Sequence, residues 1–120
     1  MKKNVYMAIL TSALFTPFAN SAVDLKWTES VGEVIKPTRV TQDGLEEFGY
    51  EGFNLTYEMK KPCKYLMIFA TSISNDGVEL GKASFQHARV SIGDKFRDPF
   101  TLIVDGKYHI LLDNITCLKP

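Results

Sequence analysis

The residues of this 120-residue chain that could carry chemistry are two cysteines, two histidines and one acidic segment. Nucleophilic catalysis needs a serine or cysteine beside a histidine. The sequence contains no G-x-S-x-G, H-E-x-x-H, P-loop or dinucleotide-binding motif. His87 and His109 fall in strand patterns, in which we expect His87 to face solvent and His109 to pack in or on a sheet. The sequence therefore predicts a protein that is not an enzyme.

Cys63 and Cys117 are the two cysteines of the chain. There is no C-x-x-C motif, and neither histidine has metal-ligand spacing to a cysteine, so a disulfide is favoured over free thiols or a metal site. The disulfide would close a loop of about 55 residues, which the chain-entropy treatment values at roughly 4 kcal/mol. We therefore expect one structural disulfide, no metal and no cofactor.

The beginning of the chain has the pattern of a secretory signal peptide. Two lysines precede an apolar run over residues 5–15, and small residues follow at 19–22, where signal peptidase cleaves. The apolar run is short for a membrane anchor, because a spanning helix takes about 20 residues. The sequence therefore predicts a helical signal peptide at 1–22 and one domain at 23–120, in a protein that is periplasmic or secreted by a bacterium.

The charge of the predicted exported domain limits its partners. Removal of Lys2 and Lys3 leaves 12 basic and 14 acidic residues, a net charge of about −2. A nucleic-acid-binding domain needs a basic surface, and attraction to anionic lipid needs a cluster of basic residues. A second long apolar run is also missing from the sequence. We therefore expect no nucleic-acid partner and no membrane insertion after signal cleavage.

The rest of the chain reads as short extended runs separated by turn residues, which is the pattern of an all-β domain. Seven to nine strands in under 100 residues predict a small immunoglobulin-like two-sheet sandwich, with a small closed β-barrel as the alternative. Residues 65–70 form the longest apolar run after the signal peptide, and we expect a central strand covered on both faces. Residues 31–36 are expected to form one of the first strands, and residues 53–59 alternate as a half-buried strand.

The turn motif Asn75-Asp76-Gly77 predicts a β-hairpin over residues 65–83, because these residue types favour tight turns. The strand that follows runs from Phe85 to Ile92. In this strand we expect the even-numbered positions Ala88, Val90 and Ile92 to face inward, which leaves His87 outside.

A second turn motif, Asp105-Gly106, predicts a hairpin with a two-residue type I′ turn, because both residues tolerate positive φ. A two-residue loop fixes the strand register. In that register Ile103, Tyr108, Ile110 and Leu112 share one face, and we expect this face to meet the core.

Residues 42–53 form a distinct acidic and aromatic segment. Asp43 followed by Glu46 has the spacing of a capping box, so we expect a loop with one helical turn that ends at Gly49. The acids do not follow the ligand spacing of a calcium loop. Aromatic residues beside charges on a loop are common in binding surfaces, although the aromatic side chains could instead cap the core. The candidate binding residues are Trp27, Glu47, Phe48, Tyr50 and Glu51.

These features favour binding over catalysis. The function predicted from the sequence is an exported, non-catalytic module of the bacterial envelope or extracellular space that binds another protein. Such a module could be an accessory subunit of a surface or secretion assembly, or an inhibitor of a host enzyme. The alternative is a carbohydrate or small-ligand binding module that uses Trp27 or Tyr50 as a stacking platform. A third possibility is a structural subunit that exchanges an edge strand at residues 24–41.

Overall fold

The structure is a computed structural model that describes residues 23–120, except residue 48 and the side chains of residues 44–47. The predicted signal peptide, residues 1–22, lies outside the described residues. In the described part of the chain, no helix is long and apolar enough to cross a membrane. The elements are β1 (Leu25–Trp27), α1 (Glu29–Val34), β2 (Ile35–Glu47), β3 (Tyr50–Met59), β4 (Cys63–Ser74), β5 (Glu79–Val90), β6 (Lys95–Ile103) and β7 (Tyr108–Leu118).

The strands form two sheets that pack against each other. The four-stranded sheet has the order β1-β7-β4-β5, and the three-stranded sheet has the order β2-β3-β6. β1 is parallel to β7, and all other pairs are antiparallel. The predicted two-sheet sandwich is confirmed, and over the described residues the sheets do not close into a barrel. The strand order differs from that of an immunoglobulin constant domain, in which strands A-B-E-D face C-F-G.

The core lies between the sheets and is built by alternation along the strands. On β3 the predicted half-buried pattern is confirmed, because Phe53, Leu55, Tyr57 and Met59 are all buried. They face buried residues of the other sheet, and burial of apolar side chains from both layers is the main stabilising contribution of such a sandwich. These facing residues are Leu66, Ile68 and Ala70 of β4, and Ile110 and Leu112 of β7.

The predicted disulfide between Cys63 and Cys117 is confirmed. It joins the start of β4 to the end of β7, with the two Cα atoms 5.2 Å apart. The side chain of Cys63 belongs to the buried core. The covalent link therefore holds the two strands together at one end of the sandwich.

The prediction that β4 is a central strand covered on both faces is confirmed only for its central position. β4 lies between β7 and β5 in the sheet. Its inward residues Leu66 and Ile68 are buried, but Tyr65, Met67 and Phe69 remain partly exposed. The expectation that both faces are covered is wrong. The sandwich has only two layers, so each strand has one face against the core and the other face toward solvent.

Of the strand predicted over residues 31–36, only Ile35 and Lys36 are extended, at the start of β2. The chain instead forms the short helix α1, in which Thr28 is the N-cap and its hydroxyl accepts from the backbone N–H of Val31. Val31 and Val34 are both buried against the core. Valine and glycine are weak helix formers, so tertiary packing rather than intrinsic propensity decides this segment.

The predicted hairpin at Asp105-Gly106 is also wrong. β6 pairs with β3, and β7 pairs with β4 and β1, so the turn joins strands of different sheets. Gly106 does take a positive φ of 61°. Ile110 and Leu112 face the core as expected, whereas Ile103 points outward. A turn motif reverses the chain, but it does not determine which strands then pair.

The predicted alternation of β5 is reversed over most of its length. Ala88 and Ile92 are exposed, whereas His87 lies on the inward-facing side. Val90 is buried as expected. The physical reason is Arg89, whose positive φ of 56° interrupts the regular alternation and turns the next residue inward.

The segment predicted as a loop with a helical turn is a strand. β2 continues to Glu47 and β3 begins at Tyr50, with Glu46 opposite Glu51 in the register. A register shift between Gln42 and Glu46 absorbs extra residues on β2. The capping box is therefore wrong, while the left-handed conformation expected at Gly49 is confirmed by its φ of 84°.

Candidate functional site

Three turns lie together at one end of the sandwich, which we call the turn end. They are the β2–β3 turn at Gly49, the β4–β5 turn at residues 75–78 and the β6–β7 turn at residues 104–107. Backbone hydrogen bonds connect them: Val104 donates to the carbonyl of Gly49 at 3.2 Å, and Asn75 donates to the carbonyl of Lys107 at 3.0 Å. Loops held by a rigid sheet scaffold are common binding surfaces.

Two apolar side chains are exposed side by side at the turn end. Tyr50 on β3 and Ile103 on β6 are opposite each other in the strand register. Their exposed fractions are 47% and 37%. A hydrogen bond from the other sheet holds Ile103 in this position, because the side-chain hydroxyl of Ser72 on β4 donates to the carbonyl of Ile103 at 2.6 Å. We call Tyr50 and Ile103 the apolar pair.

A pocket of about 440 Å³ also opens at the turn end, and we call it the end pocket. β1, β2, two of the turns and the start of β7 contribute to it. Hydrogen bonds hold its walls: the amide of Gln42 donates to the hydroxyl of Tyr108 at 2.9 Å, and the backbone N–H of Ile110 donates to the carbonyl of Asp24 at 3.0 Å. It is lined by Val23, Asp24, Lys26, Gln42, Asn75, Gly106, Lys107, Tyr108 and His109.

The end pocket has more positive than negative charge. Lys26 and Lys107 line it together with one carboxylate, that of Asp24. Burial lowers the pKa of His109, and the positive charge of Lys26 lowers it further, while Asp24 acts in the opposite direction. Since the ordinary pKa of histidine is about 6.5, His109 is a neutral imidazole at pH 7. A neutral imidazole can donate one hydrogen bond and accept another.

A second polar cluster lies between the sheets, where Tyr57 and Asp98 are buried and His87 is partly exposed. The hydroxyl of Tyr57 donates to Oδ2 of Asp98 at 2.7 Å. Nε2 of His87 lies 2.9 Å from Oδ1 of the same carboxylate, and its ring stacks on Phe96 at 3.9 Å between centroids. Burial, followed by the hydrogen bond and charge of Asp98, raises the pKa of Tyr57 well above its ordinary value. Tyr57 therefore remains a neutral donor.

This cluster connects strands of both sheets. Asp98 on β6 accepts from Tyr57 on the neighbouring β3 and contacts His87 on β5 across the sandwich. The sequence could have revealed this cluster, because Phe96, Asp98 and Phe100 alternate along β6. Their spacing places a carboxylate at an inward position between two aromatic rings. The expectation that His87 faces solvent is wrong for the same reason, since its ring points toward that carboxylate. Histidine and tyrosine donors together stabilise an otherwise costly buried charge.

Replacing Tyr57 with Phe should lower the free energy of unfolding by roughly 1.5–3 kcal/mol, because a buried hydrogen bond to a charged group is lost. Urea unfolding at neutral pH measures the difference. Tyr65→Phe is the matched control, since the hydroxyl of Tyr65 donates to Gln86 at the surface. The free energy of unfolding of Tyr65→Phe should differ from that of the unaltered protein by no more than about 0.5 kcal/mol. Equal losses in both variants would contradict a special role for the Tyr57–Asp98 bond.

The candidate binding residues do not all lie together. Tyr50 and Glu51 lie at the turn end, and Glu51 is partly buried. Trp27 is partly buried against the core, and a Cβ at Gly32 of α1 would lie 3.2 Å from its indole nitrogen. Phe48 lies outside the described residues, and Glu47 is described by its backbone alone.

Among the side chains that the structure describes, no three His, Cys, Asp or Glu residues are placed to hold a metal ion. Comparisons with protein-family models, curated proteins and solved structures find no match to this chain. The class of this protein is therefore defined by its structure alone: a small two-sheet β-sandwich with one disulfide and a pocket at the turn end.

Proposed function

We propose that this protein is an exported, non-catalytic protein-binding module of the bacterial envelope or extracellular space, and that its turn end contacts the partner. The disulfide is compatible with an oxidising, extracytoplasmic compartment. The observation that supports the binding surface is the apolar pair. Further along the outer face of the same sheet, β3 and β6 carry polar residues, among them Asn54, Thr56, Arg97 and Thr101.

Exposed aromatic and branched apolar residues side by side are suited to a small binding centre. Tyrosine is enriched among the residues that dominate interface energetics. In the strand register, Tyr50 lies opposite Ile103 of β6 on one side and opposite Glu47 of β2 on the other. A partner with an apolar groove would match the apolar pair. An accessory subunit of a surface or secretion assembly and an inhibitor of a host enzyme both require such a surface.

A photo-crosslinking amino acid placed at position 50 in the exported protein tests this proposal. We expect one defined protein adduct, identified by mass spectrometry. The same amino acid at position 92 is the control, because Ile92 is 67% exposed but lies at the opposite end of the sandwich. Equal adducts from both positions would contradict the surface assignment.

Truncating the apolar pair provides a second, quantitative test. Tyr50→Ala combined with Ile103→Ala should weaken binding of the identified partner by tenfold or more, since central interface residues contribute about 2 kcal/mol or more. The melting temperature should change little because both side chains are exposed. Unchanged affinity in the double variant would show that the contact lies elsewhere.

Small-ligand binding is the second candidate function, and the end pocket favours it. Small-molecule sites are concave, with volumes of roughly 300–1,000 Å³ and a few convergent polar groups. The end pocket, at about 440 Å³, falls within that range. Trp27 is not among its lining residues, so the pocket offers Tyr108 rather than Trp27 as an aromatic wall.

A further inference from the structure

We propose that the end pocket binds a small hydroxylated carboxylate, such as an acidic monosaccharide, through Lys26 and Lys107. This proposal goes beyond the protein-binding role and does not depend on the apolar pair, because neither Tyr50 nor Ile103 lines the pocket.

The charges of the lining residues favour an anion. Lys26 on β1 and Lys107 in the β6–β7 turn are both lining residues, and each offers an ammonium group with three donors. Charge-assisted hydrogen bonds from lysine to a carboxylate are about twice as strong as neutral ones. His109 is neutral, so the charged side chains of the lining are two cations and the single anion Asp24. One ligand carboxylate would balance that excess.

The remaining polar groups favour hydroxyls on the same ligand. Asp24 can only accept hydrogen bonds, and the amide of Asn75 can both donate and accept. A bare anion would meet the Asp24 carboxylate unfavourably, whereas a hydroxyl would donate to it. The imidazole of His109 provides one donor and one acceptor. Sugar hydroxyls match this mixture, and a single sugar ring suits a pocket of about 440 Å³.

Backbone hydrogen bonds set the pocket in place before any ligand binds. Asn75 donates to the carbonyl of Lys107 at 3.0 Å, which joins two of the pocket's turns. Val23 donates to the carbonyl of Val40 at 3.2 Å, so the chain just before β1 is attached to the opposite sheet. A preformed site loses less conformational entropy on binding, which favours affinity for a small ligand.

His109 reports directly on an anion in this pocket. The charged groups around it are Asp24 just before β1, Lys26 on β1 and Lys107 in the adjoining turn. A bound carboxylate would oppose the effect of Lys26 and favour the imidazolium form, so the pKa of His109 should rise on binding. By linkage, binding should become tighter as the pH falls through the pKa of His109.

The experiment is an NMR titration of the exported protein that follows the ring resonances of His109. Glucuronate is the probe, glucose is the matched neutral sugar, and acetate is the carboxylate without hydroxyls. We expect saturable shifts and a raised pKa of His109 with glucuronate, and much weaker binding of glucose and acetate. Lys26→Gln or Lys107→Gln should weaken glucuronate binding roughly tenfold. Lys64→Gln, an exposed lysine at the disulfide end, should leave it unchanged.

Four results would overturn the proposal: no saturable shift with glucuronate, equal binding of acetate, equal binding of glucose, or equal weakening by Lys64→Gln. Equal binding of acetate would mean that the pocket attracts anions without recognising a sugar acid. The double variant Tyr50→Ala with Ile103→Ala separates this proposal from the protein-binding one, because it should bind glucuronate like the unaltered protein.

Discussion

Replacing Cys63 and Cys117 with Ala should lower the free energy of unfolding by roughly 2–5 kcal/mol. The two residues are 54 positions apart, so the disulfide limits the freedom of more than half of the described chain in the unfolded state. The chain-entropy treatment gives about 4 kcal/mol for a loop of this length. A small domain has a total stability of only about 5–15 kcal/mol. Urea unfolding of the oxidised protein and of the double variant measures the difference.

The unaltered protein in the presence of a strong reductant is the control for this variant. It retains both sulfur atoms, so it separates loss of the cross-link from the small cavity that Cys63→Ala leaves in the core. The reduced protein and the double variant should both unfold at clearly lower urea concentration than the oxidised protein. A double variant within about 0.5 kcal/mol of the oxidised protein would contradict a stabilising role for the disulfide.

Features set by local physics could be predicted from the sequence. The period-two alternation of residues 53–59 identifies β3, because only one face of that strand is buried. Asn75-Asp76-Gly77 identifies the β4–β5 hairpin, since its residues suit a tight turn and Gly77 takes a positive φ of 86°. The disulfide followed from the presence of only two cysteines and an expected export signal.

Features set by distant contacts could not be predicted in the same way. Asp105-Gly106 gave a strong local signal for a hairpin, but β6 and β7 each find partners in a different sheet. Strand pairing depends on which long-range contacts bury the most apolar surface, and a turn motif carries no information about them. The short helix α1 likewise forms because Val31 and Val34 pack into the core.

The candidate site also has one part that the sequence could predict and another that it could not. Tyr50 could be identified from its aromatic type within an acidic segment. Its apolar neighbour Ile103 was expected in the core, because the incorrect hairpin register placed it there. The end pocket combines β1 with turns that are some 50 and 80 residues further along the chain, so its lining becomes apparent only once the strand order is known.

Replacing Asp98 with Ala should lower the free energy of unfolding by roughly 2–5 kcal/mol, because the buried carboxylate that accepts from Tyr57 and contacts His87 is removed. Asp98 is only 8% exposed, and it accepts from Tyr57 and contacts His87. The variant leaves the hydroxyl of Tyr57 buried without its acceptor, and a buried unpaired donor costs about 1–3 kcal/mol by itself. Asp98→Asn keeps an acceptor of the same shape, so it should cost less.

A double-mutant cycle shows how much of this cost comes from the stranded hydroxyl. Tyr57→Phe combined with Asp98→Ala removes both the donor and the acceptor, so the hydroxyl is no longer left unpaired. The loss in the double variant should therefore be smaller than the sum of the two single losses by about 1 kcal/mol or more. Urea unfolding of the four proteins gives this coupling free energy. If the two losses simply add, the 2.7 Å hydrogen bond between Tyr57 and Asp98 does not stabilise the pairing of β3 with β6. Packing of the surrounding rings would then stabilise it instead.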